Sequence, residues 1–134
     1  MYLIDSNIIL EALLDQEKAH DVRLFLDNIN LSECYITDLA LHSIGIRLFR
    51  EEKRHDFSLL LKDVIIDGLR VVYLSPNDLK NMEMIAIKYS LDFDEAYQYL
   101  AAKLKNLQIV SFDKHFDRTE IGRKEPGEII RVDD

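Results

Sequence analysis

The stretch Tyr2-Leu3-Ile4-Asp5-Ser6-Asn7-Ile8-Ile9-Leu10 decides how this chain folds. Tyr2 to Ile4 is a short apolar run that reads as a buried strand. Ser6 can cap a helix, and Ile8, Ile9, Ala12 and Leu13 come next at helical spacing. A strand that gives way to a helix at its carboxyl end is half of a βαβ unit.

The same grammar recurs along the chain. A helix is predicted over His20–Ile29, then a strand at Cys34-Tyr35-Ile36 that ends at Thr37-Asp38. Two helices come after it, Leu39 to about Lys53 and about Asp56 to Ile66, with Gly68 as the stop of the second. Val71-Val72-Tyr73-Leu74 is the most β-prone segment. Ser75 then caps a helix with Pro76 at its first position, which fades near Ser90. Asp92-Phe93-Asp94 opens a helix to about Asn106, Gln108 to Phe112 is a fourth strand, and Glu128 to Val132 a fifth. Strands separated by helices, without hairpin signals, mean crossover connections and a mainly parallel sheet.

Composition bounds the rest. At 134 residues the chain reads as a single domain over residues 1–134, long enough to bury roughly 68% of its unfolded surface. Its 48% apolar and 31% charged residues are those of an ordinary globular protein. One cysteine, Cys34, excludes an internal disulfide framework and fits a reducing compartment. No apolar run approaches the roughly 20 residues of a membrane span, so a cytoplasmic location is expected. A net charge of -8 argues against a non-specific nucleic-acid coat, although a metal-dependent enzyme acting on nucleic acid needs clustered acids of its own.

Asp5, Asp94 and Asp113 each stand where an apolar strand or loop gives way to a helix or turn, and Asp117 comes one turn later. In an open parallel sheet those strand ends lie side by side, where ligands bind. Carboxylates gathered there repel one another unless a cation lies between them, which implies a divalent metal. Taken singly, Asp94 and Asp5 also read as helix caps, and Asp117 as a solvated turn acid. One carboxylate can stand near a helix start and still bind metal.

These residues resemble the motifs of PIN domains. Tyr2-Leu3-Ile4-Asp5-Ser6-Asn7-Ile8-Ile9 is similar to their first motif, an apolar strand followed by Asp-x-Asn or Asp-x-Ser. Asp94-Glu95-Ala96 resembles the third. Val110-Ser111-Phe112-Asp113-Lys114-His115-Phe116 resembles the last, and the three occur in family order over nearly the whole chain. The resemblance implies a three-layer α/β/α fold around a central, mainly parallel four- to five-stranded sheet. It implies that Asp5, Asp94 and Asp113 hold Mg²⁺ or Mn²⁺, with Asp117 as a fourth catalytic acid and Ser6, Asn7 and Ser111 in support. The implied activity is a ribonuclease similar to the VapC toxins, which leaves a 3′-hydroxyl and a 5′-phosphate. Its implied partners are an RNA substrate, a cognate antitoxin and a second copy of the chain.

The sequence departs from the family at the second motif, where a Glu is usual early in the helix after the second strand. Here the helix reads Thr37-Asp38-Leu39-Ala40-Leu41-His42-Ser43, with His42 or Ser43 at that place. Asp38 or His42 is the candidate fourth ligand, and Glu11 a more distant one. A cap at Asp38 and a satisfied core histidine at His42 are the competing readings. The departure opens an alternative function, a catalytically weak or inactive module that binds RNA or protein. A receiver-type or phosphatase domain expects a Lys after a later strand, and Lys114 directly after Asp113 is not that geometry.

Basic residues supply candidates for phosphate contact. Lys114 and Arg118, with Arg123 and Lys124, lie after the last acidic motif. Arg47, Arg50 and Arg54 share a helix face but read as a solvated surface pairing with Glu51 and Glu52. His20, His55 and His115 lack a partner acid at ligand spacing and read as surface histidines.

Overall fold

The computed structural model describes residues 1–66 and 68–130. Four parallel strands form one sheet in the order β3-β2-β1-β4: β1 (Tyr2–Ile4), β2 (Cys34–Thr37), β3 (Arg70–Val72) and β4 (Gln108–Val110). Helices α1 (Ser6–Leu13) and α2 (Ala19–Asn28) connect β1 to β2, and α3 (Asp38–Arg50) and α4 (Arg54–Leu60) connect β2 to β3. Helices α5 (Met82–Tyr89) and α6 (Phe93–Lys105) carry the chain back past β1 to β4, and α7 (Pro126–Ile130) ends the described chain.

Strand alternation explains the layers. Ile4, Cys34, Ile36 and Val110 pack into one core with Ile8 and Ile9 of α1, Val22 and Phe25 of α2, and Ala40, Ile44 and Leu48 of α3. Leu3, Val72 and Ile109 point to the opposite face, against Ala101 and Ala102 of α6 and Phe116. Leu3, Ile4, Ile109 and Val110 have 1% exposure or less, and each contributes about 1.5–3 kcal/mol by burial. The result is the three-layer α/β/α architecture, with α1–α4 and α7 on one face and α5 and α6 on the other.

The order of the strands places the site. From β1 the chain steps toward β2 and β3, then returns to the other side of β1 to lay down β4. The crevice between β1 and β4 is therefore the topological switch point, where open α/β sheets bind their ligands beyond the carboxyl ends of the strands. Register pairs Ile4 with Val110, so Asp5 and Ser111 are the next residues along the two strands. The Asp5 N–H still donates to the Val110 carbonyl at 3.0 Å.

Several elements differ from expectation. Glu128–Ile130 belong to α7 rather than to a fifth strand, while Arg131 and Val132, the rest of that expected strand, lie outside the described residues. Pro126 pre-sets a helical first turn, and α7 packs on α2. The edge of β4 is met instead by an isolated parallel bridge between Val110 and Lys124. Ser75 and Asp78 do exchange capping bonds of 2.9 and 3.2 Å. They lead into a 3-10 turn, Asp78–Asn81, before α5 begins at Met82. Helix α4 runs into a π-helical turn, Leu61–Ile65. Close by, Gly68 lies so near Leu31 that an added Cβ would approach its Cβ to 2.7 Å.

Candidate active site

Asp5 takes the N-cap position of α1, yet its side chain makes no capping bond to that helix. The carboxylate turns into the crevice and is only 5% exposed. Ser111 donates its hydroxyl to Oδ2 at 2.7 Å, and the Gln98 amide donates to Oδ1 at 3.2 Å. Ser111 in turn accepts from the Asn7 amide at 3.2 Å and from the Asp113 N–H at 2.9 Å. The Asn7 carbonyl oxygen accepts from the Phe112 N–H at 3.3 Å. Helix α1 and the end of β4 are thus strapped together around one carboxylate.

Helix α6 begins at Phe93, and its N-cap is Asp92 rather than Asp94. Asp92 and Glu95 form a reciprocal capping box: the Glu95 N–H donates to Asp92 at 2.8 Å, and the Asp92 N–H to Glu95 Oε1 at 2.9 Å. Asp94 is therefore released from capping, and its Oδ1 is buried without a hydrogen-bond partner. Gln98 stands one turn further along α6, and its Oε1 is likewise buried without a partner. Its amide cannot be flipped profitably, since that would set a carbonyl against Asp5.

Charge at this centre is uncompensated. Burial raises the Asp5 carboxyl, the bonds from Ser111 and Gln98 oppose the rise, and the Asp113 charge adds to it. Burial, with the charges of Asp5, Asp92 and Asp113, pushes Asp94 up to about 6. Glu95 is raised by burial and by its bond with the Asp113 carboxyl. Burial works against ionised Asp113 too, but its bonds to Glu95 and the His115 N–H, with the charges of His115 and Arg123, hold it low.

Such a set fits a hard divalent cation: buried carboxylates, mutual repulsion and acceptor oxygens without donors. Among the described residues, the group whose candidate ligand atoms gather within 4.8 Å is Glu95, Asp113 and His115. His115 Nδ1 lies 2.6 Å from Glu95 Oε2 and 3.6 Å from Asp113 Oδ1. The Asp113 charge acts on Asp5 and Asp94 across the crevice, but both lie outside that tight group. Glu95 and His115 were missed as site residues. Glu95 lies in the stretch that opens the helix, and nothing in the spacing of Glu95 and His115 shows that they meet.

The other candidates play lesser or structural parts. Ser6 contacts Asp5 Oδ1 at 3.3 Å. Asp117 is gripped by Arg123 through two N–H bonds of 3.1 and 3.3 Å. Arg123 also donates to the Ser111 carbonyl at 3.2 Å and to Glu125 at 2.8 Å, so this cation serves to clamp the loop. Arg118 donates to the Ser90 carbonyl at the end of α5 at 2.6 Å, while Lys114 is exposed. Thr37, not Asp38, caps α3. Asp38 accepts the Tyr97 hydroxyl at 2.8 Å, and that hydroxyl accepts from the Leu74 N–H. His42 is exposed rather than a core residue. Arg47 pairs with Glu51 at 3.4 Å, as expected of a solvated face.

An all-parallel sheet between two helical layers, with acids gathered at its switch point, defines a three-layer α/β/α domain. The chain belongs to the PIN domain family, whose sequence profile matches residues 2–122. No curated protein matches it in sequence. Solved structures share the fold. FitAcB from Neisseria gonorrhoeae superposes with a TM-score of 0.76 at 18% identity, over 94% of this chain and 98% of that one. A toxin–antitoxin complex from Klebsiella pneumoniae gives 0.74 at 13%, over 94% and 98%. VapC20 from Mycobacterium tuberculosis, a Sarcin-Ricin loop cleaving toxin, gives 0.73 at 12%, over 90% and 96%.

Proposed function

We propose that this protein is a divalent-metal-dependent ribonuclease that hydrolyses RNA phosphodiester bonds and acts as the toxin of a toxin–antitoxin pair. The observation that carries the reading is the uncompensated carboxylate centre at the switch point, above all the buried, unpartnered Oδ1 of Asp94 beside buried Asp5. Asp5, Asp94 and Asp113 would hold Mg²⁺ or Mn²⁺. Bound there, the ion supplies Lewis-acid polarisation of the phosphate and an activated water.

The chain's own groups do the positioning. Ser111 and Gln98 fix both Asp5 oxygens, and Asn7 fixes Ser111 and the backbone of Phe112. Exposed Lys114, next to Asp113 in the chain, offers a cation to the RNA backbone. The products would be a 3′-hydroxyl and a 5′-phosphate. A net charge of -8 suits a basic antitoxin segment, and of the similar structures one is a toxin–antitoxin complex and another a Sarcin-Ricin loop cleaving toxin. A homodimer is the expected free form. Among the described residues no helix is long and apolar enough to cross a membrane.

The test is cleavage of an unstructured RNA by purified protein with Mn²⁺ or Mg²⁺ added after chelation. Cleavage should require the ion and disappear in Asp5→Asn and Asp94→Asn. A second reading, an RNA- or protein-binding module without catalysis, draws on the engagement of Asp38, a candidate replacement for the second-motif acid, by Tyr97. RNA binding without ion-dependent cleavage would favour it.

A further inference from the structure

Glu95, Asp113 and His115 come from two elements, the first turn of α6 and the turn after β4, and they bring two carboxylates and one imidazole together. Their ligand atoms lie within 4.8 Å of one another. Ligands at about 2.1 Å from a common ion stand roughly 3–4 Å apart. The 3.6 Å between His115 Nδ1 and Asp113 Oδ1 already has that spacing. The 2.6 Å between Nδ1 and Glu95 Oε2 needs a few tenths of an ångström of opening. The ring is 52% exposed and can swing by that amount.

The two carboxylates are also braced from behind. Glu95 Oε1 accepts the Asp92 N–H at 2.9 Å, and Asp113 Oδ1 accepts the His115 N–H at 2.9 Å. Outer bonds of this kind hold metal ligands in orientation. Nearby in the same crevice Gln98, 1% exposed, gives its amide nitrogen to Asp5 while its Oε1 has no donor.

We propose that His115 Nδ1 is a metal ligand, completing with Glu95 and Asp113 a nitrogen-containing position that selects Mn²⁺ or Zn²⁺ over Mg²⁺. Imidazole suits borderline transition ions, whereas Mg²⁺ takes oxygen. Binding would release to solvent the proton shared between Nδ1 and Glu95 Oε2 and leave a neutral imidazole with its proton on Nε2. Asp113 would then serve both this position and the one it forms with Asp5 and Asp94. The inference rests on the metal-dependent ribonuclease reading, but it concerns which ion and which atom.

Titration calorimetry on the whole, chelator-treated protein tests it, with Mn²⁺, Zn²⁺ and Mg²⁺ as probes. His115→Ala should weaken Mn²⁺ and Zn²⁺ by about ten-fold or more and leave Mg²⁺ unchanged. His115→Asp, an all-oxygen set, should shift the preference back toward Mg²⁺. In ¹⁵N spectra of the wild type, Zn²⁺ should move the imidazole signal that is missing from His115→Ala. Unchanged Mn²⁺ and Zn²⁺ affinity in His115→Ala would overturn the assignment and show a plain His115–Glu95 hydrogen bond. RNA cleavage that persists in that case leaves the ribonuclease reading standing. A His115-dependent ion site without RNA cleavage supports the assignment while the ribonuclease reading fails.

Discussion

Asp5 and Asp38 come directly after neighbouring parallel strands, each at the start of a helix, and the molecule treats them in opposite ways. Asp38 receives the Tyr97 hydroxyl, which also takes the Leu74 N–H, so the carboxylate ends a closed hydrogen-bond chain between α3, α6 and the segment after β3. Asp5 receives Ser111 and Gln98, but it also faces Asp113 and Asp94, and burial raises its carboxyl. The difference arises from strand order: β1 lies at the switch point, whereas β2 is flanked by strands laid down from the same side. Position after a strand is thus not enough to bring acids together; the neighbouring strand decides what the acid meets.

Substitutions can break this contrast, and the largest effect is expected on catalysis. Asp5→Asn should lower ion-dependent RNA cleavage by about two orders of magnitude or more, roughly 3 kcal/mol of transition-state stabilisation. Asp38→Asn should leave the rate nearly unchanged in the same assay. Ser111→Ala removes the hydroxyl that serves Asp5, Asn7 and the Asp113 N–H, and a loss of about ten- to a hundred-fold is expected. In that variant circular dichroism should remain native.

Smaller effects appear in stability. The Asp94 carboxyl is raised from 3.8 to about 6, so the folded state holds its proton more tightly than the unfolded chain does. The stability it confers is complete below pH about 4 and lost as pH rises through about 6. Asp94→Asn cannot ionise, so metal-free variant protein should be more stable than wild type at pH 7, by about 1 kcal/mol after allowance for solvent. The gap should close at pH 4 and narrow when a divalent ion stabilises the wild type. Denaturant melts at the two pH values would show this, and equal stability at pH 7 would count against a strained acid centre. Tyr97→Phe strips the donor from Asp38 and the acceptor from the Leu74 N–H. It should cost about 1 kcal/mol in the same melts with little change in rate.

Much of the fold was legible in the sequence, for identifiable reasons. Strands flanked by helices with no hairpin turns leave few arrangements, and the apolar runs at Tyr2–Ile4 and Cys34–Thr37 were short enough to exclude helices. The end of the chain was not legible, because Ile129-Ile130 has a β-branched composition while Pro126 fixes a helical start. At the site, Asp5, Ser111 and Asp113 could be named from their places in the motifs. Glu95 and His115 could not be paired, since their meeting depends on how α6 docks against the turn after β4. Arg123 was a candidate for phosphate contact because its charge shows in sequence, whereas its bonds to Asp117, Glu125 and Ser111 do not.

Asp113 is the acid shared by every ion position considered, and Asn in its place keeps the oxygen that caps His115. Calorimetric Mn²⁺ binding by wild type, Asp113→Asn and Asp38→Asn therefore tests most directly whether the β1–β4 crevice is the metal centre. Binding should be the same in wild type and Asp38→Asn and weaker by about ten-fold or more in Asp113→Asn. Binding that survives Asp113→Asn, or that is lost in Asp38→Asn, would contradict it.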